Sequence, residues 1–383
     1  MSATLPAPIS PLQLKKPGSF AFAPGQATTP RQPALDALKA LACLTIVGHH
    51  LALYGPMSDV VQPHAPQLIG WLYDYGRMAV QVFLVLAGFL AAAALAPDGR
   101  ATFTEPGKLL FKRYKRLVLP YLVALATSVA VAWTLRPWFA HDSLPGEASW
   151  LQLAAHALLL QEVLVIESLL AGAWYVAIDM QLFGLTMLVM LLGRRSLQLT
   201  LALVIVLAAA SLLVFNRYSA FDVGALYFFG SYALGLLSFW VVRAMQTGRQ
   251  RSAVWTLTAM VVLIAAALLL DFRMRIALAG VTALCLVALA LLPPGATVVG
   301  GLKSMGLLKL GEMSYSIFLI HFPVVLLVNA VVSRFWPGQL LPNVLGLMAA
   351  FGLALLAGAA LWRLVESPRA FWRRTGSRKP VAA

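Results

Sequence analysis

From residue 34 onward the chain repeats one pattern ten times: an apolar stretch of membrane-spanning length, closed by a short polar or basic break. In hydrocarbon no water can satisfy a backbone amide, so a spanning segment must bond to itself as a helix or close into a barrel. About 20 apolar residues make a helix that crosses the roughly 30 Å core. The stretches run over 34–54, 78–96, 117–135, 172–193, 198–215, 223–242, 253–271, 274–292, 311–332 and 344–362. Hydrophobic residues form 61% of the chain and charged residues 11%, with a mean hydropathy of +0.83. A soluble domain does not reach such values. The expected fold is all-α, a polytopic membrane helix bundle of about ten transmembrane helices.

Charge placement orients the bundle. With the amino terminus in the cytoplasm, cytoplasmic segments hold 22 of the 29 Lys and Arg and outer segments hold 6, with Lys39 inside the first span. This is the inside bias of positive charge, with both termini cytoplasmic. It also accounts for the net charge of +15 without a nucleic-acid partner. Residues 1–33, rich in Pro, Ala, Ser and Thr, read as a flexible cytoplasmic tail. Residues 34–364 form the membrane domain, and 365–383 a basic cytoplasmic tail against the lipid surface. Trp150 to Leu170 is interrupted by Gln161, Glu162 and Glu167, and is expected to be a partly inserted or surface helix. Cys43 and Cys285 both lie in apolar segments and read as small buried hydrophobes, not as a disulfide or metal site.

The first span, LDALKALACLTIVGHHLAL, carries Asp36, Lys39, His49 and His50. Ionisable groups near mid-membrane cost about 2.5–3.5 kcal/mol on insertion scales and therefore mark cavities with a task. Eleven residues separate Lys39 from His50, which places them about 20° apart around the helix and about 16 Å apart along it. His49 points elsewhere, toward a neighbouring helix or the interface. His50 is the candidate general base, because an imidazole takes and returns a proton near neutrality. Asp36 lies about 20 Å away along the helix, so any acidic group orienting His50 would be Asp179 or Glu162 in preference to it.

Three further constellations stand out. Lys108, Lys112, Arg113, Lys115 and Arg116 form a basic run before the third span. It either grips phosphates or is ordinary topology charge. Trp174 and Asp179 lie at the start of the fourth span, with Asp179 two turns deep and in need of a partner. His321 lies near mid-membrane in the ninth span, just before Pro323.

The runs LDALKALACLTIVGHH, RMAVQVFLVLAGFLAA, FKRYKRLVLPYL, WYVAIDMQLF and LGEMSYSIFLIHFPV resemble, in order and spacing, the integral-membrane acyltransferase-3 family. The resemblance covers Leu35 to Val324 and implies transfer of an acyl group, commonly acetyl from acetyl-coenzyme A, onto hydroxyls of surface glycans and related molecules. It implies His50 as the essential histidine, with a cation eleven residues earlier. Here that cation is Lys39 where the family has arginine, Ala87 replaces a usual serine, and Asp179 a usual glutamate.

Joined to that resemblance, the residues suggest a site. His50 and Asp179 would be catalytic. Lys39, Lys112, Arg113 and Arg116 would hold the phosphates of acyl-CoA, a donor substrate and not a resident cofactor. Trp174, Tyr175 and His321 would line the acceptor or carbonyl site, the acceptor being a glycan or glycolipid. The setting would be the bacterial cytoplasmic membrane. A covalent acyl-histidine route stays open, and a proton-coupled transporter is the alternative from another class.

Overall fold

The computed structural model describes residues 33–291 and 306–367. The expected tails, 1–33 and 365–383, therefore lie almost wholly outside the described residues. Among the described residues, ten helical segments are long and apolar enough to cross a membrane, as the run lengths require.

The helices are α1 (Pro33–Leu53), α2 (Pro56–Val61), α3 (Pro66–Tyr75), α4 (Val80–Leu95), α5 (Pro106–Leu135) and α6 (Trp150–Ala157). There follow α7 (Ala173–Leu192), α8 (Leu197–Leu213), α9 (Ala225–Gln246), α10 (Gln250–Leu270), α11 (Met274–Leu291), α12 (Leu307–Phe335) and α13 (Leu340–Leu361). A π-helical turn, Trp362–Glu366, ends α13. A 3-10 turn over Gly76–Ala79 joins α3 to α4, so the second span runs from Pro66 to Leu95, earlier than 78–96. The third also starts early, at Pro106 instead of 117. Proline pre-sets the backbone dihedral of a first helical turn, where its missing amide hydrogen costs nothing. From there FKRYKR continues as helix, turning Arg113 inward while Lys112, Lys115 and Arg116 stay exposed.

Two helices form the centres of packing. α9 is buried around nearly its whole circumference by α4, α7, α8, α10 and α11. α12 is enclosed by α1, α5 and α13. Lipid supplies no hydrophobic drive for helices to associate, so close backbone approach does the holding. Where α4 crosses α9, a Cβ on Gly88 or Gly235 would fall 1.9 Å from a carbonyl oxygen of the facing helix. Cys43 is buried, but Cys285 is exposed on α11, contrary to expectation. An apolar segment in a membrane protein has a lipid-facing side, and Cys285 lies on it.

The Trp150–Leu170 region is not among the candidate spans; it returns along α5. Ser149 caps α6 through a reciprocal box with Gln152. Arg136, at the end of α5, donates to the Pro145 carbonyl at 2.9 Å, and Tyr114, near the start of α5, donates to the Ala157 carbonyl at 2.6 Å. Ser128 then donates to the Leu169 carbonyl at 2.7 Å. The chain thus descends most of α5 and climbs back. The reversal uses positive φ at Leu159 (57°) and Val165 (53°), a rare conformation for a β-branched residue.

Candidate active site

α1 and α12 run side by side, and each delivers a histidine to their contact. Nδ1 of His50 lies 2.6 Å from Nε2 of His321, and Nδ1 of His321 lies 2.7 Å from the Phe318 carbonyl. The carbonyl can only accept, so His321 carries its proton on Nδ1 and presents Nε2 as a lone pair. His50 Nδ1–H then donates to it. By elimination His50 Nε2 carries no proton and is the free base of the pair. The two rings are nearly parallel, at 6°, with centroids 4.7 Å apart, as expected of imidazoles joined edge to edge. Pro323, two residues on within α12, has no amide hydrogen to give the Leu319 carbonyl, which loosens the helix ladder beside His321. His321, expected at the acceptor or carbonyl site, is wholly buried and bonds to His50.

His49 and His50 diverge as helix geometry demands. His49 Nδ1 donates to the Leu72 carbonyl of α3 at 2.9 Å, a packing role. Around His50 the walls are aromatic. The Tyr54 ring centroid is 5.2 Å away and in turn packs edge-on against Phe322 at 5.1 Å. On the other side Phe318 contacts His321, Phe83 and Tyr175. Tyr175 is only partly buried and meets Trp174 edge-on at 6.1 Å.

Asp179 has the partner its depth requires, but that partner is Arg113. Nη2 of Arg113 donates to both carboxylate oxygens, at 2.8 and 2.6 Å, while the guanidinium lies 4.4 Å above the Phe183 ring. Among the described residues no carboxylate is hydrogen-bonded to His50. Asp179 is committed to Arg113, and burial, with the charge of Asp222 adding to it, pushes the Glu162 carboxyl above the ordinary 4.5. A neutral imidazole, His321, takes the orienting place. Near this pair Tyr232 and Thr186 are fully buried.

At the basic end of the bundle four elements converge. Lys39 Nζ binds Asp36 at 3.2 Å within α1, and the Asp36 backbone touches Gly311 of α12. Glu366, carried in by the π turn, accepts from Ser316 at 2.5 Å and faces Lys39 and Arg116 electrostatically. Lys112 is exposed nearby on α5. Of the four expected phosphate ligands, Lys39, Lys112 and Arg116 gather at this end, whereas Arg113 is spent on Asp179.

One axis thus runs from a cation cluster to a buried base between two helices. The chain matches the family model described as an acyltransferase domain, that of the acyltransferase-3 group, over residues 32–363. The chain belongs to the acyltransferase-3 family. No curated protein and no solved structure matches it. As an acyltransferase-3 member with ten helices among the described residues long and apolar enough to span, it is an integral-membrane enzyme that transfers acyl groups other than aminoacyl groups.

Sequence reading missed three neighbours of this acyltransferase site. Tyr54 stands one turn beyond His50, a spacing that would have revealed it. Phe318 sits one turn before His321 and supplies the carbonyl that sets the tautomers. Glu366 was assigned to a tail, and no local pattern announces the π turn that brings it back.

Proposed function

We propose that the protein is an O-acyltransferase that takes an acyl group, acetyl in the simplest case, from cytoplasmic acyl-CoA. It passes that group to a hydroxyl of a glycan or glycolipid on the outer face of the bacterial cytoplasmic membrane. The observation that carries this reading is the unprotonated Nε2 of His50, left free by the His321–Phe318 relay.

The donor enters at the basic end, where Lys39, Arg116 and Lys112 offer charge-assisted bonds to its phosphates. Its extended arm lies along α1, and the roughly 16 Å axial step from Lys39 to His50 brings the thioester to the base. Arg113 and Asp179 keep α5 and α7 together beside that path. The acceptor arrives from the opposite face, past Tyr54, and stacks its ring against the aromatic wall of Tyr175 and Trp174. His50 Nε2 removes the acceptor's hydroxyl proton as the oxygen attacks the thioester carbonyl. The resulting imidazolium keeps its Nδ1–H on His321, a neutral acceptor that fixes the ring as charge develops. The tetrahedral intermediate collapses, the C–S bond breaks, and the departing thiolate recovers the proton from His50. An ester and free coenzyme A result.

The test uses purified protein, isotope-labelled acetyl-CoA and a surface-glycan fraction as acceptor. Labelled ester and stoichiometric coenzyme A are expected from the parent, with a loss of about 10²–10⁴-fold for His50→Ala, the usual worth of a general base. Equal rates for the two proteins would overturn the assignment of His50.

A further inference from the structure

At the end of α5 farthest from its basic run lies a cavity that the chemistry at His50 leaves unused. It measures about 290 Å³ and is lined by Trp133 and Arg136 at the end of α5, by Pro145, Gly146 and Glu147 of the loop before α6, and by Leu169. Small-molecule sites begin at about 300 Å³, so there is room for one sugar ring. Arg136 closes α5 and Arg116 lies near its start, so the cavity stands about 30 Å along the helix from the donor end. Its polar groups suit a ligand rich in hydroxyls. Arg136 Nη2 donates to the Pro145 carbonyl at 2.9 Å, which fixes the guanidinium in place. Its Nη1 stands 3.7 Å from Glu147 Oε1, too far for a hydrogen bond. One hydroxyl can fill that gap, accepting from the guanidinium and donating to the carboxylate. Trp133, 72% exposed, adds an aromatic face beside them. An acyl chain would gain nothing here, since covering an opposed guanidinium and carboxylate without hydrogen bonds is costly.

The cavity also lies close to the histidine pair. Leu169 in its wall precedes Gly172 by three residues, a reach of at most about 10 Å. Gly172, at φ +80°, sits so near Phe318 that a Cβ there would meet the ring at 2.5 Å, and the Phe318 carbonyl holds His321. We infer that this cavity is a subsite for a neighbouring sugar of the acceptor chain, with a sugar hydroxyl bridging Arg136 and Glu147 and Trp133 stacked on the apolar face of the ring. The inference rests on the reading of the acceptor as a glycan. It narrows that reading to a chain of linked sugars, one seated here while another presents its hydroxyl to His50.

The experiment gives the full chain in detergent labelled acetyl-CoA and two size-sorted fractions of a surface-glycan hydrolysate, single sugars and short oligosaccharides. The parent is expected to show a higher kcat/KM for the oligosaccharides. Glu147→Gln and Trp133→Ala should each cut that preference about tenfold, the worth of one hydrogen bond to a charged group. Both side chains are largely exposed, so neither substitution disturbs the packed core. A binding measurement runs beside the kinetics. Without acetyl-CoA, the oligosaccharides should alter tryptophan emission more in the parent than in Trp133→Phe. An unchanged preference in either variant, an equal loss with both fractions, or the same emission change in the parent and Trp133→Phe would overturn the inference. Failure of the underlying reading looks different, since the parent would then esterify neither fraction, and the emission change would still decide whether the cavity holds a sugar.

Discussion

His50 Nδ1 meets His321 Nε2 at 2.6 Å across 271 residues of chain, and this contact decides which nitrogen of His50 is left without a proton. In the proposed mechanism the base is thus oriented by a neutral ring backed by a carbonyl, where many hydrolytic triads use a carboxylate. In lipid that choice avoids desolvating an extra charge.

Removing the orienting ring should cost rate without abolishing it. For His321→Ala, kcat is expected to fall about 10²-fold, the scale of a misplaced catalytic group. His321→Gln, whose amide oxygen accepts from His50 Nδ1, should recover part of the loss. Steady-state kinetics with labelled donor checks this, and equal rates for the two variants would refute the orienting role.

The Arg113–Asp179 pair is chiefly structural. Its side chains are 27% and 7% exposed, so breaking it strands a buried charge. Asp179→Ala should lower stability by about 3–5 kcal/mol. The double variant Arg113→Met with Asp179→Ala should lose less than the sum of the singles, measured as a thermal-unfolding cycle in detergent.

The returning segment should loosen in acid. His156 Nε2 accepts the Leu169 amide at 3.2 Å and Nδ1 lies 2.6 Å from the Tyr121 hydroxyl, so only the neutral ring satisfies both chain and site. Burial holds its pKa below the ordinary 6.5. The unfolded chain therefore binds the proton first, and stability rises with pH in this window. The contribution is complete above about 6.5 and is lost as pH falls through the lower folded value. Melting temperatures taken from pH 8 to pH 5 should drop for the parent and drop less for His156→Gln.

Gly311 sets the distance between α1 and α12. A Cβ there would sit 1.9 Å from the Asp36 carbonyl oxygen, which is backbone and cannot step aside. Gly311→Ala should push the helices apart, costing about 1–3 kcal/mol by overpacking and separating His50 from His321. Activity should then fall more steeply than in Leu310→Ala, which alters the adjacent, partly exposed position; a similar loss in both would refute it.

How much was legible in the residues follows from the range of each interaction. Ten spans could be read because hydrophobic length is a local property, and the Lys39–His50 face because helix geometry relates positions eleven apart. That His49 and His50 must point differently followed in the same way. The early start of α5 was hidden because charge was taken as the end of a span, although a helix can continue with one side buried and the other wet.

What the sequence determined by itself is a helical membrane bundle with a base and a cation on one face of its first helix. What only the tertiary structure decided is which groups from distant helices meet: His321 with His50, and Arg113 with Asp179. The first set depends on the periodicity of one helix. The second depends on which helices touch and at what height, and those are set by packing between segments far apart in the chain.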